Sequence, residues 1–541
     1  MKREDLTPRQ REVVECRDAV LLVTGGPGTG KTASALWAGH DAIVTGELAE
    51  NQYVLYLTFS RSAVSQISKR APQVLADARG RIEVATFHGL AFRLLRGFGR
   101  YVGMGASLPR LQSSAQDKLF GQQEGMIRYD DLVPAALRLL AVPWIGELAR
   151  RRWPLVICDE AQDTGDDQWL LLKELQKGAR LMLLADLDQM IHDWREDVSS
   201  ERLEQARALA TREIQLEPES HRDRSGVVPE LARAVLARDF GNQAVTDAVA
   251  SDALSVIHDV AGKDVADVVL QEVRRLRKAG CKTVGVFGFT NDGSAILSEQ
   301  LSERGLGNTI VGISEAHGEA IAAMGVMLAH AVDQAEFEDL KEALAVFMAA
   351  FTRNKAALAL PQSLTRTGDT PPALEELLRD LSVRLKLTAA SGSLGDLLQV
   401  VRQSWASVFT GRTGQRLWLR AFGTVIGFAD AIMDEKPSPG RLGALLERIE
   451  HARIASLASE LEDAQAIPIH LMNFHQTKGR EADGVVLVFR GDDFYARSQE
   501  GEPYEARSRL LYVAVSRARQ KVTVILPPNP HPLISPFYAS A

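Results

Sequence analysis

Short, nearly uninterrupted apolar runs alternate with stretches of helical apolar spacing through the first third of the chain. Candidate strands fall at 19–24, 53–59, 82–87, 155–159 and 181–186, with helix-like stretches such as 32–43 and 62–70 between them. That alternation predicts a parallel sheet covered by helices. A second α/β pattern is expected at 213–216, 283–289, 469–474, 484–489 and 522–526. The stretch from about 311 to 467 reads differently. Ala, Leu and Glu recur at helical spacing over 336–351, 373–387 and 442–461, broken by the turn-rich segments 367–372 and 436–440. It is expected to be a helical insertion splitting the second α/β region.

Composition narrows the class without changing that picture. At about 150 residues per domain, a 541-residue chain holds roughly three to four domains. Apolar residues at 45% and charged residues at 25% are ordinary for a globular protein, and exclude a collagen-like or disulfide-built chain. Lys+Arg 63 against Asp+Glu 70 gives a net charge of −7, so a uniformly basic nucleic-acid coat is excluded while local basic grooves are not. Cys16, Cys158 and Cys281 have neither metal nor disulfide spacing, which points to a reducing compartment. The charged start Met1-Lys2-Arg3-Glu4-Asp5 opens no secretory h-region, and the longest uncharged apolar stretch, 320–329, is too short to span a bilayer. A soluble, cytoplasmic protein without membrane partners is expected. The tail from Pro527 carries five prolines and predicts no further domain.

Chemistry enters at Gly25-Gly26-Pro27-Gly28-Thr29-Gly30-Lys31-Thr32, which fits the phosphate-loop pattern G-x-x-x-x-G-K-[ST] between an apolar run and a helical stretch. Glycines there let backbone N–H groups face phosphate oxygens at a helix N-terminus. Lys31 is placed to reach the β/γ-phosphates and Thr32 to complete a Mg²⁺ shell. The run Leu155-Val156-Ile157-Cys158 ends in Asp159 and Glu160, where such an ATPase needs a metal-ligating carboxylate and a general base. Asp159 takes the first role and Glu160 the second, so NTP hydrolysis is expected, with ATP and Mg²⁺ as cofactors.

Further motifs follow in order: Leu6-Thr7-Pro8-Arg9-Gln10, Leu57-Thr58-Phe59, Thr86-Phe87-His88-Gly89, Tyr129-Asp130-Asp131-Leu132, Asp159 to Asp163, Ala185-Asp186-Leu187-Asp188-Gln189, Ser220-His221-Arg222, His475 to Glu481, and Leu511 to Arg519. As an ordered set they resemble the UvrD/Rep-like family of superfamily 1 DNA helicases over nearly the whole chain. The resemblance implies an α/β architecture of two RecA-like P-loop NTPase domains with a helical insertion in the second. It divides the chain into a first domain at 1–205, with a much reduced insertion near 96–128, a second at 206–310 plus 466–541, and a helical insertion at 311–465.

By the same resemblance Gln10 reads the adenine, His221 stacks on it, Glu481 meets the ribose, and Gln189 senses the γ-phosphate. Arg222 and Arg517 act as arginine fingers. Phe59, Thr86, His88, Trp194, Arg195 and His475 fall at positions that line the DNA strand. A Phe following a buried strand is equally a core residue, and the basic run 274–278 reads as a solvated helix face. His221 and His192 stand where the family has Tyr, and Ala185 where it has Gly. The chain ends soon after the last motif, leaving no room for the nuclease domain some relatives carry. The expected function is ATP-dependent 3′-to-5′ translocation on single-stranded DNA, with unwinding at single/double-strand junctions, in repair, replication or recombination. The alternative is a DNA-stimulated ATPase subunit of a larger complex, for example one coupled to a nuclease. A non-catalytic scaffold is disfavoured by Lys31, Glu160, Gln189, Arg222 and Arg517 all being present. RNA remains open as the track.

Overall fold

The computed structural model describes residues 3–59, 64, 67, 80–104, 110–186, 189, 198, 201–217, 226–262, 264–310, 314–352, 355–409, 412–458, 468–491 and 504–540. Most of the helix expected at 62–70 lies outside them. The chain divides into two compact units: Met1–Leu90, Ala136–Val311 and Glu462–Ala541 form the first, and Ala91–Ala135 with Gly312–Leu461 the second.

Two six-stranded parallel sheets build the first unit. One contains β1 (Val20–Thr24), β2 (Val54–Thr58), β3 (Ile82–Thr86), β6 (Leu155–Cys158), β7 (Arg180–Ala185) and β8 (Arg212–Gln215), in the order β3-β2-β6-β7-β1-β8. The other contains β9 (Leu254–Ile257), β10 (Val284–Gly288), β11 (Thr309–Ile310), β12 (Ile469–Asn473), β13 (Ala482–Val488) and β14 (Ala518–Ile525), ordered β11-β12-β10-β13-β14-β9. The central strands are buried along their whole length, as helices on both faces of a parallel sheet require. Side chains alternate between two cores. Val485 and Leu487 join a cluster with the helices Val227–Ala237 and Glu505–Val515, while Val486 and Val488 pack with the helix Asp264–Lys278.

One strand belongs elsewhere than its position suggested. The run at 213–216 was expected in the second pattern, yet β8 pairs parallel with β1, with Val23 opposite Ile214. Only Ile214 of this edge strand is buried, so its local pattern carries little information about its partner. The edge strands β9 and β11 carried no sequence signal strong enough to be expected. The proline-rich tail packs back onto the second sheet's core through Leu533, Ile534 and Phe537, and the Tyr538 hydroxyl donates to Asp259 at 2.8 Å. All three cysteines are free and buried. Among the described residues, no single helix is long and apolar enough to cross a membrane.

The second unit joins two segments far apart in sequence. Its helices surround a core containing Phe347, Trp405 and Trp418, with the Trp405 and Trp418 rings stacked at 6.0 Å. Helices Ser314–Ala331 and Pro439–Ala458 approach closely at Gly325, where an added Cβ would lie 2.8 Å from Ile449. The short segment contributes the parallel pair β4 (Arg110–Gln112) and β5 (Met126–Arg128) and the helix Ser114–Phe120, whose Ala115 packs against Val346 and Ala349. A buried arginine helps tie the segments together. Arg453 bonds Glu319 at 3.1 Å and also donates to the Gln116 side chain at 2.9 Å and the Leu111 carbonyl at 3.3 Å. Glu315 accepts from the Ala115 N–H at 2.7 Å, at the start of the short helix.

Removing one member of a buried pair strands the other charge, whereas replacing both with apolar groups is often neutral. Arg453→Met should therefore destabilise this unit by about 3–5 kcal/mol, and Arg453→Met with Glu319→Leu by much less. Urea denaturation followed through the Trp405 and Trp418 fluorescence reads the difference; equal losses would show that the stranded Glu319 charge is not the cause.

Candidate functional site

The phosphate loop runs from the C-terminal end of β1 into the helix Lys31–Val44. Gly28 and Gly30 have φ of 80° and 92°, a left-handed backbone that glycine adopts without the steric cost of a Cβ. The Lys31 ammonium lies against the loop carbonyls, bonded to Gly25 O and, at 3.0 Å, to Gly26 O, and stands 3.4 Å from the Asp186 carboxylate. Gln10 is buried beside the loop. Its amide donates to the Thr29 carbonyl at 2.9 Å and accepts from the Thr7 N–H at 3.0 Å, completing a capping box. The residue expected to read the base thus also anchors the loop.

Asp159 follows β6, and its Oδ2 lies 3.5 Å from the Thr32 hydroxyl and 3.1 Å from the buried Tyr56 hydroxyl. These hydroxyl and carboxylate donors are the hard oxygen set that suits Mg²⁺. Burial, and then repulsion from Glu160, push the Asp159 carboxyl above its usual range. Glu160 sits at φ 53°, a left-handed conformation uncommon for a non-glycine residue and a form of local strain that clusters at functional sites. Burial pushes its carboxyl up, but Lys478, Lys31 and the Gln162 amide outweigh that and hold it ionised below the usual range. Gln162 donates to Glu160 at 2.7 Å and accepts from the Asp186 N–H at 3.2 Å, locking the two acidic turns together.

The second sheet reaches into the same place. Lys478, just after β12, bonds the Asp163 carboxylate, donates to the Gln189 carbonyl at 2.6 Å and stands 3.6 Å from Glu160. Burial disfavours its charge, but Asp163 and Glu160 more than compensate and raise its pKa. Arg517, at the end of the helix Glu505–Val515, donates to the Gln189 Oε1 at 2.7 Å, and the Gln189 amide donates to Asp186 at 2.8 Å. A continuous chain therefore runs from Lys31 through Asp186 and Gln189 to Arg517. Tyr512 from that helix faces the phosphate loop, its hydroxyl 4.0 Å from where a Gly26 Cβ would lie.

Lys31, Thr32, Asp159, Glu160, Gln189 and Arg517 are thus brought into one site. Lys478, Tyr56, Gln162, Asp163 and Asp186 join them without having been singled out from the sequence. Four of these five lie inside motifs already quoted; Tyr56 looked like a strand core residue. Glu481 is bonded by Arg519 at 2.9 Å. Among the expected strand-contact residues, Phe59 is half-buried with its ring 5.5 Å from Phe87, and the Thr86 hydroxyl accepts from the Gly89 N–H at 3.0 Å. His88 and His475 are also partly exposed. Arg222, His221, Trp194 and Arg195 lie outside the described residues.

Comparison with known proteins finds the AAA domain family matching residues 10–194 and the UvrD-like helicase C-terminal domain matching residues 468–525. The chain is 23% identical to ATP-dependent DNA helicase UvrD1 of Mycobacterium leprae, over 96% of this chain and 82% of that protein. It is 22% identical to DNA helicase II of Escherichia coli, over 96% and 84%. A shorter match, 23% identical over 35% of this chain and 34% of the relative, is to ATP-dependent DNA helicase PcrA of Bacillus subtilis.

The ion pairs separate two kinds of defect. Lys478→Met removes the cation balancing Asp163 and Glu160 and should cost about 3–5 kcal/mol, a clear loss of melting temperature. Lys31→Met, which removes a longer ion pair at 3.4 Å from Asp186, should lower the melting temperature less but abolish measurable triphosphate binding. Thermal melts and equilibrium binding of a fluorescent ATP analogue distinguish them, and equal melting losses would contradict the separate roles.

Proposed function

Because the chain belongs to the UvrD/Rep-like superfamily 1 helicases, ATP-hydrolysing DNA helicases, we propose that it moves 3′-to-5′ along single-stranded DNA and opens single/double-strand junctions in cytoplasmic DNA repair, replication or recombination. The observation that carries this reading is the hydrolytic site's construction from two sheets: Lys478 and Arg517 of the second meet Asp163, Glu160 and Gln189 of the first. A site so built responds to any relative movement of the two sheets, which is what a translocating motor requires.

In this reading Lys31 and the loop N–H groups bind the β- and γ-phosphates. Thr32 and Asp159 hold Mg²⁺, which when bound neutralises charge on the phosphates. Glu160, ionised by its cationic surroundings, orients the attacking water and accepts its proton. Gln189 places a polar side chain at the γ-phosphate, while Arg517 and Arg222 offset the negative charge spread over the transferring group. Gln10, His221 and Glu481 hold the base and ribose. The strand runs past Phe59, Thr86, His88, Trp194, Arg195 and His475, with the Phe59 and Trp194 rings stacking on bases without regard to sequence.

The test is ATP hydrolysis by the purified protein with and without single-stranded DNA. Strong stimulation by DNA is expected, with Glu160→Gln lowering kcat about 10²–10⁴-fold. A rate unmoved by DNA but raised by RNA would transfer the reading to an RNA track. On a strand labelled at either end, arrival at the 5′ end is expected; arrival at the 3′ end would overturn the polarity.

A further inference from the structure

Tyr56 lies in the middle of β2, fully buried, with no charged neighbour in its own strand. β2 and β6 pair in parallel, with Tyr56 opposite Ile157, so Asp159, two residues further along, falls on the same face of the sheet. A side chain as long as tyrosine leaning along the strand reaches that position, and the phenol O–H donates to the Asp159 Oδ2 at 3.1 Å. The Thr32 hydroxyl approaches the same oxygen at 3.5 Å. Asp159 Oδ2 is thus met by two hydroxyls, the buried phenol and that of Thr32.

We propose that Tyr56 is a positioning residue for the Mg²⁺ site, its hydroxyl fixing the Asp159 carboxylate beside Thr32 in the arrangement that receives the cation. The proposal rests on the assignment of Thr32 and Asp159 to Mg²⁺. The Glu160 N–H donates to Asp159 Oδ1 at 3.1 Å, and the phenol adds a neutral donor at Oδ2, restraining the carboxylate without supplying a charge that would compete with the metal. An apolar residue of the same size at position 56 would pack equally well in the sheet but leave Asp159 Oδ2 without that donor.

The test uses the full chain and a non-hydrolysed fluorescent ATP analogue, titrated across a Mg²⁺ series and in EDTA. Tyr56→Phe keeps the ring and removes only the hydroxyl. It should raise the Mg²⁺ concentration giving half-maximal enhancement of nucleotide affinity about tenfold, relative to binding in EDTA, with a matching fall in protein-bound Mn²⁺ by electron paramagnetic resonance. An unshifted midpoint, or an equal loss with and without Mg²⁺, would overturn it. Because Tyr56 acts through Asp159, the shift should disappear when Tyr56→Phe is made on an Asp159→Asn background. A shift of the same size on both backgrounds would also refute the proposal. If nucleotide binding by the parent protein is indifferent to Mg²⁺, it is the metal assignment of Thr32 and Asp159 that fails, and this inference falls with it.

Discussion

Four carboxylates, those of Asp159, Glu160, Asp163 and Asp186, are gathered at the C-terminal ends of β6 and β7, and the side chains of Asp163 and Asp186 are almost wholly buried. Like charges held close in a medium of low dielectric cannot all stay ionised without cations among them. Lys31 supplies one from the phosphate loop, and Lys478 and Arg517 supply two more from the second sheet. The first sheet therefore does not balance its own site. Its acidic turns hold their geometry only with the second sheet's cations in place, and this requirement, rather than apolar area alone, fixes where the hydrolytic machinery can assemble.

The same balance explains which parts of the site could be read from the sequence. The phosphate loop is legible because its glycines serve a local backbone need, seen in the positive φ of Gly28 and Gly30. Asp159 and Glu160 stand out because acids at the end of an apolar run contradict the run itself. Lys478 does not, because lysine is ordinarily a surface residue and nothing nearby says that its partner Asp163 comes from another sheet. Tyr56 is the extreme case: in the run Val54–Thr58 an aromatic ring is what a buried strand should contain, and only the register with β6 reveals what its hydroxyl meets. The central strands were readable for the complementary reason, since burial on both faces writes itself into every position. Edge strands such as β8 and β9 carry half that signal, and β8 was accordingly ascribed to the wrong sheet.

The helical unit shows a limit of a different kind. Apolar spacing revealed helices over most of 312–461 but gave no sign that 91–135 would fold with them. Beside the Ala115 contacts, the joint uses one guanidinium, that of Arg453, whose donors meet Glu319 on one segment and Gln116 and Leu111 on the other. Arginine's planar fork suits such a joint because several fixed donors can be satisfied at once, where lysine offers a single point of charge. Two insertions, one interrupting the region of the first sheet and one the region of the second, thereby become a single body. A pattern of hydrophobic spacing describes each helix separately and has no term for a partner more than 300 residues away along the chain, as Arg453 is from Gln116.

Charge balance and sheet topology meet in the chain Lys31, Asp186, Gln189 and Arg517. Asp186 Oδ2 is approached both by the Lys31 ammonium and by the Gln189 amide. A phosphoryl group competing for Lys31 therefore acts on the same carboxylate that orients Gln189, and Gln189 in turn is the acceptor for Arg517 on the other sheet. Each link involves a charged group and is stronger and more directional than a packing contact. A change of partner at Lys31 is thus transmitted as a change of geometry rather than absorbed as a small adjustment of contacts. Four side chains thus link the phosphate loop of the first sheet to the second by consecutive polar contacts, the path by which the proposed motor would couple nucleotide to sheet movement.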